Sequence, residues 1–192
     1  MSKTTKGRIV DAAWRLFYER GFDETKIEDI VRESATSKGS FYHYFNSKDE
    51  LLGSLAYLFD EKYAEIEKNI NIEDDPIDIL LYLNHELFVM IEDNIDFSLL
   101  SRLYSAQLMP RGGKELLDYN RYYYKLLNKI ILRGRENGKL DTTRTAKDTV
   151  HLYAMCERAI IYDWCISGGS YSLSEYAARI MPIFLSALRA KK

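Results

Sequence analysis

Apolar side chains recur every three or four residues through almost all of this 192-residue chain, and no segment alternates with a period of two. That rhythm puts the apolar groups on one face of a helix and argues against half-buried strands. Only 3 Pro and 10 Gly interrupt it, which leaves room for long helices. The fold class expected is all-α. Lys and Arg number 27 against 29 Asp and Glu, a net charge of −2, which excludes a basic tail but not a local patch. Hydrophobic residues at 46% and charged residues at 29% fit a soluble globular protein rather than a disordered one. Cys156 and Cys165 match neither a CxxC motif nor a metal-ligand spacing, and read as reduced thiols of a cytoplasmic protein. The opening MSKTTKGRIVDAAWRLF lacks the apolar run of a secretory signal, and no stretch approaches the ~20 residues that span a bilayer.

Caps and breakers divide the chain into about nine helices. The first is expected over Thr5 to Arg20, stopped by Gly21. Thr25 and Glu28 have capping-box spacing for a short second helix ending near Glu33 or Ser34. Ser37 is a suitable N-cap for a third, Lys38 to Tyr44. Ser47 and Glu50 form another capping box, opening a long helix that runs to about Ile70. Asp75 and Pro76 start a fifth helix to about Asp93. A sixth spans about 95–108, followed by an Arg111-Gly112-Gly113 loop. A seventh runs from Lys114 to Glu136, an eighth from Arg144 to Ile166, and a ninth from the Ser172–Glu175 capping box to about Ala190, with Pro182 inside it. The partition expected is a three-helix domain over 1–48 and a larger helical bundle over 49–192.

Three short helices with a tight turn between the second and third suggest a helix-turn-helix, whose second helix lies in the major groove of DNA. Phe41 and Phe45, four apart, can both point inward. Lys38, Gly39, Ser40, Tyr42, His43 and Tyr44 are then left outside. Lys38 can donate to guanine O6 and N7 or to a phosphate. Gly39 lets the backbone approach the groove wall, and Ser40 can donate or accept. Tyr42 and His43 can donate to phosphate oxygens, which fixes register. Thr25 and Ser37 sit at helix N-termini that favour phosphate, and Lys48 follows the third helix closely. Residues 1–48 carry nine basic and seven acidic side chains, the right sign for DNA but small.

Gly21-Phe22, Thr25, Ile27, Ile30-Val31 and above all SKGSFYHYFNSKDELL (Ser37 to Leu52) resemble the DNA-binding domain of the TetR (tetracycline-repressor) family of transcriptional regulators, over about residues 5–55. The resemblance implies a homodimer formed through the eighth and ninth helices. It implies binding to a pseudo-palindromic double-stranded DNA operator and a small-molecule inducer held in the C-terminal domain, which releases the DNA. It makes Thr25, Ser37, Tyr42 and Lys48 phosphate contacts, and sets Lys38, Gly39, Ser40 and His43 against bases or flanking phosphates. One departure stands out. The family usually places Gly and then an apolar residue in the turn, whereas this chain has Ala35 and Thr36. An Ala at positive φ costs about 1 kcal/mol or more relative to Gly.

In the larger domain, polar residues on otherwise apolar faces are the candidate ligand contacts: Asn84 with His85 beside it, Asn120 and Tyr123 on the seventh helix, and Glu157 and Trp164 on the eighth. A buried polar group needs a partner, and a ligand, a neighbouring side chain, water or a second subunit could each supply one. Glu157 among aromatic residues would suit a cationic ligand. No Gly-rich phosphate loop, HExxH, GxSxG or Cys/His cluster is present, so neither an enzyme, a metal site nor a cofactor is expected. The alternative reading is a helical ligand-binding or adaptor protein that does not bind DNA.

Overall fold

A computed structural model describes residues 4–109 and 114–190. Among the described residues nine α-helices follow one another, and the extended structure is one isolated antiparallel bridge between Leu140 and Arg189. The expected all-α class is what the chain adopts. The loop expected at Arg111-Gly112-Gly113 lies outside the described residues. Contacts divide the chain into two compact units, Met1–Ala56 with Ser98–Leu116, and Tyr57–Phe97 with Leu117–Lys192. Residues 98–116, which the sequence pattern alone would group with the larger bundle, belong to the first of these.

In the first unit, α1 (Thr5–Arg20) starts where the Thr4 hydroxyl accepts from the Gly7 N–H at 3.1 Å and stops at Gly21, with φ 84°. Its buried face of Ile9, Ala12, Ala13, Leu16 and Phe17 packs with Ile30 of α2 (Ile27–Glu33) and Phe41 of α3 (Lys38–Tyr44). Burying a phenylalanine of this kind stabilises by about 1.5–3 kcal/mol. Trp14 is also core, its indole N–H donating to Ser54 Oγ at 2.7 Å. Two expected capping boxes form differently. At α2 the cap is Lys26, whose N–H donates to Asp29 Oδ2 at 3.3 Å, while the Thr25 hydroxyl turns back to the Gly21 carbonyl at 2.8 Å. That N–H contact holds the Asp29 carboxyl below its ordinary value. Glu50 does not reach Ser47 but accepts from both the backbone and the side-chain amide of Asn46, each at 2.8 Å. The chain then forms a 3-10 segment, Asp49–Ser54, before α4 (Leu55–Glu67), rather than one helix to Ile70. The α6 helix (Phe97–Leu108) buries Leu99, Leu100 and Leu103. The Arg102 guanidinium pairs with Asp23 and lies 5.0 Å from the centre of the Phe22 ring.

In the second unit, α5 (Pro76–Asn94) packs along α9 (Leu173–Ser186), and α7 (Tyr122–Glu136) along α8 (Ala146–Ile166). Asp75, Thr145 and Ser172 cap α5, α8 and α9 with their side chains. At α9 a second group helps: the Glu92 carboxylate of α5 accepts from the N–H groups of Leu173 and Ser174 at 2.6 and 3.0 Å. The dipole at a helix start favours that negative charge. The seventh helix begins at Tyr122, not Lys114. A 3-10 turn over Glu115–Leu117 and a turn around Asp118 precede it. The reason lies elsewhere in the chain. Asp60 of α4 takes the Arg121 guanidinium in a two-pronged, buried pair at 2.9 and 3.0 Å and also accepts the Tyr123 N–H at 3.1 Å. The ninth helix ends at Ser186, short of Ala190, because the residues after it pair across the bridge with Lys139 to Asp141.

Candidate nucleic-acid interface and the buried carboxylate

The turn between α2 and α3 closes through two hydrogen bonds, Ala35 N–H to the Arg32 carbonyl at 3.2 Å and Thr36 N–H to the Val31 carbonyl at 3.1 Å. This is the paired closure usually completed by a left-handed glycine. Here Ala35 fills that position at φ 50°, the one non-glycine with positive φ among the described residues. The expected strain is therefore present. The Ser34 and Thr36 hydroxyls, 2.8 Å apart, lock the turn from the side, and Ser34 Oγ also donates to the Val31 carbonyl at 3.2 Å.

Ser37 then caps α3, accepting from the Ser40 N–H at 3.0 Å. Phe41 is fully buried, Phe45 nearly so, and their ring centres are 5.8 Å apart. The opposite face is open: Lys38, Gly39, Tyr42, His43 and Tyr44 are exposed and Ser40 is half-buried. A side chain built on Gly39 would meet only Ser37 Oγ, at 3.8 Å. Nothing inside the fold therefore requires glycine there.

The remaining predicted contacts in this unit are occupied internally. Thr25 is 1% exposed, its hydroxyl held by Gly21. The Lys48 ammonium donates to the carbonyls of Phe22 and Thr25, at 2.5 and 2.9 Å, and sits 4.2 Å from the Phe22 ring centre. Burial pushes the Lys48 pKa down. Both residues brace the loop that leads into α2. Lys38 reaches back to Glu28 at 2.7 Å.

In the second unit, three of the six candidate ligand residues meet. Glu157 is 3% exposed. Its Oε1 accepts from Asn84 Nδ2 at 3.0 Å and faces the Tyr153 hydroxyl at 2.9 Å; its Oε2 faces the hydroxyls of Tyr123 at 2.5 Å and Tyr63 at 3.3 Å. The Tyr153 hydroxyl is also 2.8 Å from the Leu80 carbonyl, so one proton serves two acceptors. Four helices, α4, α5, α7 and α8, each send at least one group to this carboxylate. Every donor is neutral. Burial raises the Glu157 pKa against the four hydrogen bonds that hold it down. It also drives the three tyrosines well above their ordinary value, with the neighbouring carboxylate adding to the rise.

The other three candidates do not join this cluster. His85 is exposed, turned about 100° round α5 from Asn84. Asn120 lies in the turn before α7, exposed and bonded to Asp118, because the helix starts two residues later. Trp164 donates its indole N–H to the Tyr171 carbonyl at 2.8 Å and packs edge-on against Phe97. Tyr63 and Tyr153 were missed. Tyr153 stands one helical turn before Glu157, a spacing that could have flagged it; Tyr63 reads in sequence only as one more residue of an apolar stripe.

A three-helix unit that buries Phe41 of its third helix and Phe45 at that helix's end, with the helix's polar face exposed, has the form of a helix-turn-helix DNA-binding domain. Residues 9–55 match the family described as bacterial regulatory proteins, tetR family. The chain is 29% identical over 160 residues to the uncharacterised helix-turn-helix-type regulator YvdT of Bacillus subtilis, covering 79% of this chain and 81% of that one. It is 26% identical over 146 residues to the transcriptional repressor DhaR of a Mycobacterium species, covering 73% and 72%. Its fold is shared with Thermus thermophilus FadR, solved with lauroyl-CoA, at a TM-score of 0.73 and 20% identity over 98% of this chain and 97% of that one. Residues 9–55 are thus a DNA-binding domain of the tetR type, and the relatives that match this chain over most of its length are transcriptional regulators, not enzymes. No helix among the described residues is long and apolar enough to cross a membrane.

Proposed function

We propose that this protein is a cytoplasmic, homodimeric repressor that binds a pseudo-palindromic operator and is released from it by a small molecule. The observation that carries this is the open polar face of α3. Lys38, Gly39, Ser40, Tyr42 and His43, with Ser37 at the cap, form the operator contacts. Thr25 and Lys48 serve the operator through the loop they brace. Residues 1–48 are the DNA-binding part and 49–192 the ligand-binding and dimerisation part.

The dimer reading is supported by α8 and α9. Met155, Tyr162 and Ile166 on one, and Ile183 and Phe184 on the other, are large apolar side chains 45–68% exposed. The first three are spaced by seven and four, which makes one stripe. A second copy covers it through the same patch on both subunits.

The ligand acts at Glu157, with Asn84, Tyr123, Tyr63 and Tyr153. A buried carboxylate without a cationic partner is costly, and a ligand that brings a positive charge or a better donor displaces a tyrosine hydroxyl there. Because four helices meet at that group, their packing shifts with it. A differential affinity worth about 1–3 kcal/mol suffices to redistribute DNA-binding and released states.

Fluorescence anisotropy of the protein on labelled random-sequence duplex, from about 50 to 200 mM salt, tests the DNA-binding role. Affinity falls steeply and linearly on a log–log plot if phosphates are contacted. Absence of binding at the lowest salt would leave only the adaptor reading.

A further inference from the structure

The Lys38–Glu28 pair places a carboxylate on the face that the DNA-binding reading assigns to the duplex. Glu28 lies in the first turn of α2 and Lys38 at the first position of α3. Their charged atoms are 2.7 Å apart, and both side chains are more than half exposed. Pairs so open to solvent contribute little to folding, so stability does not account well for an acid here. DNA makes the acid expensive, since each approaching phosphate repels it. A carboxylate is tolerated in a groove where it accepts a hydrogen bond from a base amino group, and cytosine N4 is the matching donor. Lys38 beside it matches guanine O6 and N7.

We infer that Glu28 is a specificity-determining residue: it accepts from a cytosine amino group next to the guanine that Lys38 contacts, and it penalises duplexes without that cytosine. The pair acts as one unit. Lysine alone would bind any phosphate; the carboxylate at its side restricts it to a duplex offering a donor and an acceptor side by side. The inference rests on the DNA-binding reading above and adds to it which α2 residue sets base preference.

The test is selection from a random duplex pool with the wild type, Glu28→Gln and Lys38→Ala, with thermal melting of each. Glu28 is exposed, so the melting temperatures should agree closely. The wild-type consensus should contain a fixed cytosine whose preference, about tenfold, disappears in Glu28→Gln while the other positions persist. Affinity for random duplex should tighten two- to five-fold, roughly, as one repulsive charge is lost. Lys38→Ala should lose the neighbouring guanine. An unchanged consensus in Glu28→Gln would overturn the inference. So would loss of preference at every position together, which would make Glu28 a brace for the helix pair. Failure of the wild type to select any consensus would remove the DNA-binding reading itself, a result distinct from both.

Discussion

The outward face of α3 and the carboxylate of Glu157 are both polar assemblies, but they are built on opposite terms. On α3 the polar groups are consecutive in sequence, open to water, and individually almost irrelevant to folding. Around Glu157 they come from residues 63, 84, 123, 153 and 157, are closed to water, and are bound to the stability of the whole unit. A surface meant for an outside partner can be changed residue by residue. A buried network is held or lost as a set, because each member is the others' desolvation insurance.

That contrast predicts very different costs. Glu157→Ala strands the Tyr63 and Tyr123 hydroxyls and the Asn84 amide in a buried site, and leaves Tyr153 with the Leu80 carbonyl alone. It should destabilise the protein by about 3 kcal/mol or more in denaturant melts. A change below about 1 kcal/mol would mean that water reaches the cluster. The isosteric Glu157→Gln sharpens the same point through pH. The carboxyl has a raised pKa in the folded protein relative to its ordinary 4.5. The folded state therefore holds its proton more tightly than the unfolded one. Its contribution is fully present below the unfolded value and is lost as pH rises through the raised one. Wild-type stability minus that of Glu157→Gln should thus decline from about pH 4.5 upward. A difference that is flat or rises with pH would contradict a buried, proton-favouring site.

The smallest effect concerns the turn beside α3. Ala35→Gly removes a left-handed alanine but adds freedom to the unfolded chain. The net should be a gain of roughly 0.5–1 kcal/mol. Equal or lower stability would mean that the Ser34–Thr36 hydroxyl contact already absorbs the strain.

The same contrast explains what could be read from the sequence. Lys38 to Tyr44, its Ser37 cap and the inward Phe41 and Phe45 follow from local spacing, and α3 has the bounds that spacing predicts. The positive φ at Ala35 was also local, visible as a departure from a glycine-bearing turn. The misplaced start of α7 came from a distant partner: Asp60 fixes where that helix begins, so Asn120 falls outside it. The capping box at Ser47 failed locally, because the neighbouring Asn46 captures Glu50 through both its backbone and its side chain. Lys48 reads in sequence as a phosphate contact, and nothing nearby in sequence announces the Phe22 and Thr25 carbonyls to which its ammonium donates. Within the Glu157 cluster, sequence pattern isolates polar residues on apolar faces but cannot say which of them converge, and His85 and Trp164 were as plausible on that basis as Asn84.

The central claim is that the exposed face of α3 is what touches DNA. The most direct measurement compares the wild type with a Lys38→Ala, Tyr42→Ala, His43→Ala triple variant on duplex DNA at about 50 mM salt, alongside thermal melting. The account predicts a loss of affinity of about a hundredfold or more with a nearly unchanged melting temperature, because none of the three side chains belongs to the core. Unaltered affinity in a folded variant would place the DNA contact elsewhere and contradict it.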